Sequence, residues 1–75
     1  DNMSTKVLLA GKNDQLKANL LQALEKIEGT LIVAQDISLA IFLCRKNFPN
    51  LIIMEDSLSD NSCLELIQEL QADQE

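Results

Sequence analysis

Three four-residue apolar blocks punctuate the chain. Lys6 leads into Val7-Leu8-Leu9-Ala10, Thr30 into Leu31-Ile32-Val33-Ala34, and Asn50 into Leu51-Ile52-Ile53-Met54. A strand covered on both faces shows no alternation, so the blocks predict buried strands over 6–10, 30–34 and 51–54. Between them the period changes. Leu16, Leu20, Leu24 and Ile27 stand at i, i+4, i+8 and i+11, one stripe of a helix over 14–28. Asn13 or Asp14 supplies its N-cap, and Gly29 stands where a left-handed residue is expected after the helix. Gln35-Asp36-Ile37 read as a loop. Ser38 then caps a helix to about Lys46, and Pro49 blocks its continuation. Polar residues follow the third block, from Glu55 and Asp56 to Asn61. Ser62-Cys63-Leu64-Glu65 forms a capping box before a last helix carrying Leu66, Ile67 and Leu70.

The predicted order is β-α-β-α-β-α. Such alternation implies an α/β fold, a parallel sheet with helices on both faces, and right-handed crossovers make it doubly wound. Sheets of this kind usually hold about five or six strands. Three leave the last one short of neighbours, so residues 1–75 read as a single partial domain. An uncovered strand edge of that kind favours a homo-oligomer or a swapped dimer. Asp1-Asn2 ahead of Met3 reads as a cloning remnant before a native start.

Composition narrows the chemistry. The 75 residues include no His, no Trp and no Tyr. That excludes histidine ligands and bases, and aromatic platforms for stacking nucleobases. Twelve acidic against six basic residues give a net charge of -6, which repels a phosphate backbone. No nucleic-acid partner is therefore expected. Hydrophobic content of 47% sets the chain apart from disordered acidic tails. Two cysteines, Cys44 and Cys63, are too few for a disulfide scaffold and read as small hydrophobes in a reducing compartment. No apolar run approaches the roughly 20 residues of a membrane span, and no secretory h-region follows Lys6. The expected location is the cytoplasm, with no membrane partner.

In open α/β sheets, ligands gather at the carboxyl ends of the strands. Here those ends carry Gly11-Lys12-Asn13-Asp14, Gln35-Asp36 and Glu55-Asp56-Ser57. Glu55 is the first side chain to emerge from the third strand, and Lys12 is the nearest predicted cation. One reading is a charged site at the mouth of the sheet; the other is a solvated strand terminus. Asp56, one residue on, is turned to the opposite face by strand alternation. Gly11-Lys12 lacks the earlier glycine and the following Ser/Thr of a phosphate loop.

The run Pro49-Asn50-Leu51-Ile52-Ile53-Met54-Glu55 resembles the approach to the phosphoacceptor in receiver domains of two-component response regulators. Asp36 with Ala40 matches that family's second βα loop and helix, and Leu58 with Cys63-Leu64-Glu65-Leu66-Ile67 the stretch leading into its third helix. The resemblance implies a flavodoxin-like sheet of strand order 2-1-3 and a cytoplasmic signalling role. It also implies where the family's chemistry stands in this chain. The phosphoacceptor position is Glu55, and the acidic pair that holds Mg²⁺ falls on Gly11 and Lys12. Asn13, Asp56 and Ser57 line the site. Ser59 replaces the family's loop proline, and Cys63 the glycine before the third helix.

Those departures set the expectation. Mg²⁺ takes carboxylate oxygens in octahedral geometry, which glycine and an ammonium group do not offer. Glu55 stands one methylene further out than aspartate, and phosphoryl transfer depends on position and metal. A pseudo-receiver is therefore implied: no enzyme, no cofactor, and Mg²⁺ only if the site is active. Its partners would be a signalling protein, such as a histidine kinase or an attached kinase or output domain. Glu55 would serve either as a permanent mimic of the charged state, balanced by Lys12 across a salt-bridge distance, or as a residue of a site no longer used. Two alternatives stay open. One is a working receiver, with Asn13 and Asp14 as substitute metal ligands after a register shift. The other is half of a flavodoxin-like nucleotide-binding domain.

Overall fold

The computed structural model describes residues 4–55 and 62–73, apart from the side chains of Ser62, Cys63 and Asp73. The elements are β1 (Lys6–Ala10), α1 (Asp14–Glu25), β2 (Thr30–Ala34), α2 (Ile37–Asn47), β3 (Leu51–Met54) and α3 (Ser62–Asp73). All three apolar blocks are strands with the expected bounds. Together they form one parallel sheet of order β2-β1-β3. Lys6 pairs with Thr30 and Ala10 with Ala34 on one side of β1; Val7 pairs with Leu51 and Ala10 with Met54 on the other. This is a flavodoxin-like, doubly wound α/β fold.

Side-chain alternation divides β1 between two layers. Leu8 and Ala10 face a core that also contains Ala34, Ala40, Cys44 and Leu66, with Ile32, Ile52, Met54 and Leu70 packed against it. That is the layer of α2 and α3. Ala10, Ala34 and Ala40 are all fully buried. Their short side chains let α2 approach the carboxyl end of the sheet closely. Val7 and Leu9 are buried on the other face, as is Leu24 of α1.

Helix ends depart from the periodicity in four places. α1 stops at Glu25, with Lys26 as its C-cap, so Ile27 lies beyond the helical stripe and is 58% exposed. The left-handed residue of this turn is Glu28 (φ 55), not Gly29. Gly29 is needed for closeness instead. Its N–H donates to the Leu24 carbonyl at 2.8 Å. A Cβ on Gly29 would meet Leu24 Cδ2 at 2.6 Å and the Thr5 carbonyl oxygen at 3.1 Å.

α2 begins earlier than the Ser38 reading and ends one residue past Lys46, at Asn47. Asp36 is the N-cap: its Oδ1 accepts the Leu39 N–H at 2.8 Å. A carboxylate there also meets the positive end of the helix dipole, and Arg45 and Lys46 in the last turn meet the negative end. The helix closes on Phe48 in the left-handed region (φ 50), its N–H donating to Cys44 O at 3.0 Å. Pro49 then disfavours further helix, as expected.

α3 buries Leu66 and packs Leu70 on the core, whereas Ile67 is 47% exposed. The Ser62 side chain lies outside the described residues, so the expected capping box is not assigned. Arg45 Nη2 and Glu69 Oε2 pair at 3.0 Å across α2 and α3. Both side chains are about half exposed, so the pair contributes about 0–1 kcal/mol. Among the described residues no helix is long and apolar enough to cross a membrane.

Candidate functional site at the mouth of the sheet

The parallel ladder continues one residue past each strand end. Gly11 N–H donates to Ala34 O at 2.8 Å, and Glu55 N–H to Ala10 O at 3.0 Å. Gly11 and Glu55 are thereby held side by side, as the Ala10–Met54 pairing requires. Gly11 is buried and has φ 153, a conformation that L side chains rarely adopt. A Cβ at this position would fall inside the Glu55 side chain. The Glu55 carboxylate therefore lies across the glycine and reaches the start of α1.

At that start, Asn13 does two things. Its side chain is the N-cap of α1, Oδ1 accepting the Leu16 N–H at 3.0 Å. Its own backbone N–H donates to Glu55 Oε2 at 2.9 Å. A hydrogen bond from a backbone N–H to an ionised acceptor is stronger than a neutral one. The nearby α1 dipole adds a favourable field. Asp14 is the first helical residue and is exposed.

The expected Lys12–Glu55 ion pair is not formed. Arg45–Glu69 is the ion pair found among the described residues. Lys12 is exposed. A fixed amide one residue away satisfies Glu55 without the loss of rotamer freedom that an ordered lysine incurs. Lys12 instead borders a shallow depression of about 40 Å³, lined also by Gly11, Asn13, Asp14, Lys17 and Gln35. Its size suits a few waters and lies far below the roughly 300–1,000 Å³ of small-molecule sites.

The residues do not fit the Mg²⁺ that receiver domains carry. Gly11 has no side chain, and Lys12 brings a positive charge. The Glu55 carboxylate is engaged by Asn13. The Asn13 side-chain oxygen is already used in the helix cap, accepting the Leu16 N–H. Among the described residues no three His, Cys, Asp or Glu side chains gather in a way that could hold a metal ion. Asp56 and Ser57, the other expected lining residues, lie outside the described residues, as do Leu58 and Ser59.

No family model, curated protein or solved structure matches the chain. The mouth is accordingly read on its own geometry. Sequence reasoning found Gly11, Asn13 and Glu55 but missed how they meet. The signal was present in the strand bounds: the first and third apolar blocks end one residue before Gly11 and Glu55, so parallel pairing in register makes them neighbours.

Proposed function

We propose that the chain is a receiver-like signal-transduction module of a two-component or phosphorelay system, acting through protein–protein contacts without Mg²⁺-dependent aspartyl phosphorylation. The observation that carries this reading is the engaged Glu55 carboxylate. It follows the edge strand β3 of a 2-1-3 sheet, where the resemblance puts a phosphoacceptor, yet its Oε2 takes the Asn13 N–H and its chain fills the space over Gly11. With Gly11 and Lys12 in the two acidic positions, the mouth lacks the carboxylate pair from which receivers build their metal site. Its partner would be a signalling protein, a histidine kinase or an attached kinase or output domain. The test is incubation with acetyl phosphate and Mg²⁺, followed by intact mass. The expected result is no phosphoryl adduct with or without Mg²⁺. A stable, Mg²⁺-dependent adduct on Glu55 or Asp56 would establish a working receiver instead.

A further inference from the structure

We infer that Glu55 is an internal clasp that holds the β1–α1 loop closed against the end of β3. Two complementary features make the clasp. One is attraction: the Glu55 carboxylate accepts the Asn13 N–H at 2.9 Å, and Asn13 is the residue that caps α1. The other is vacated volume: Gly11 supplies the space that the Glu55 side chain occupies, and any Cβ there would collide with it. Each residue explains the other. The glycine leaves the space that the glutamate uses, and a side chain of glutamate length spans from the end of β3 over the glycine to the amide beyond it.

The backbone on both sides is pinned. Glu55 N–H is bonded to Ala10 O and Gly11 N–H to Ala34 O, so the strands fix both ends of the clasp. What remains free to move is the short stretch Lys12–Asn13 between Gly11 and α1. A carboxylate bonded to its last amide sets that stretch from within the chain. Asn13 is one of the partners of Glu55 rather than its sole contact, and the clasp requires only this one. The consequence is a mouth held closed by the Glu55–Asn13 contact and loosened by its loss.

The clasp does not depend on the signalling reading, and amide hydrogen exchange reads it with neither partner nor phosphodonor present. Native-state exchange at the Asn13 amide is compared in the unaltered chain, Glu55→Ala and Glu55→Gln, with the β1 amides as internal reference. Glu55→Ala is expected to speed exchange at Asn13 by roughly tenfold or more over any change in β1, as expected when a charged acceptor is lost. Glu55→Gln, which keeps an acceptor oxygen, is expected to retain part of the protection. Exchange at Asn13 that stays unchanged in Glu55→Ala, or rises only in step with β1, overturns the inference. A second measurement tests the steric half should Glu55→Ala unfold part of the sheet. Gly11→Ala should lower Tm by at least twice as much in the unaltered chain as in a chain already carrying Glu55→Gly, where the colliding side chain is gone. Equal losses in the two backgrounds would mean that backbone conformation alone demands the glycine.

Discussion

The Cys44 thiol is 4% exposed, on the α2 face that meets the sheet. Burial in apolar surroundings raises its pKa, because desolvation disfavours the thiolate. The sign of the linkage follows. An unfolded thiol loses its proton near pH 8.5, while the folded one keeps it to higher pH. The unfolded state is then the one that binds fewer protons, so stability falls as pH rises above that value. The native thiol should be alkylated by iodoacetamide far more slowly than the urea-unfolded one at pH 8, as mass spectrometry with time would show. Comparable rates in both states would mean that the α2–sheet layer opens readily. The sequence reading of Cys44 as a small hydrophobe agrees with its place in the core; Cys63 has a side chain outside the described residues. Glycine is less transparent at this scale. Gly11 and Gly29 both look like turn residues in the sequence, but a Cβ at Gly11 would meet the Glu55 side chain in a backbone conformation that L residues rarely adopt, and one at Gly29 would crowd Leu24 and the Thr5 carbonyl.

Elements are decided mainly by their ends. The apolar stripe of α1 runs through Leu16, Leu20 and Leu24, and the first two are half-buried while Leu24 is buried. Ile27 continues the arithmetic of the stripe but not the helix, since α1 has ended at Glu25 with Lys26 as C-cap and left-handed Glu28 follows. In α2 the competing caps were two residues apart. Asp36 prevails because its extended backbone (φ -140, ψ 171) aims the carboxylate at the Leu39 N–H. Asp36→Ala should therefore cost about 1 kcal/mol of stability, whereas Ser38→Ala should fall within about 0.5 kcal/mol of neutral. Urea unfolding of the two variants checks this, and the reverse ranking would move the cap to Ser38. Phe48 ends the helix in the left-handed region with 79% of its surface exposed. A bulky residue is unusual there. The proline that follows removes the right-handed alternative.

At the scale of the molecule, β1 is the axis of the fold. It is paired on both edges and its residues 7–10 are buried. Leu8 and Leu9 are the largest fully buried side chains, one in each layer. Leu8→Ala should cost about 2–5 kcal/mol through lost transfer energy and the cavity left behind. Domains hold only about 5–15 kcal/mol in total, so the loss should show as a large fall in the urea midpoint. A change below about 0.5 kcal/mol would mean that the α2–α3 layer does not depend on β1. The outer strand is less well covered: Leu51, which opens β3, is 53% exposed. An edge of this kind is where the expectation of self-association arose.

Local order was largely legible. Strand bounds and element sequence follow from apolar blocks separated by helical periodicity, although only β1 is buried along residues 7–10, while β2 and β3 at the sheet's edges are mostly half-buried. The charge balance and the missing histidines likewise bound the chemistry without coordinates. The meetings between distant residues were decided only by tertiary structure. Glu55 and Asn13 are 42 residues apart along the chain, and no local preference signals that a side chain will bond a backbone amide instead of the adjacent lysine. The same holds for the space at Gly11 and Gly29. Periodicity fixes which face a residue presents, but the nearest atom across a packed layer depends on strand register and on where each helix happens to stop.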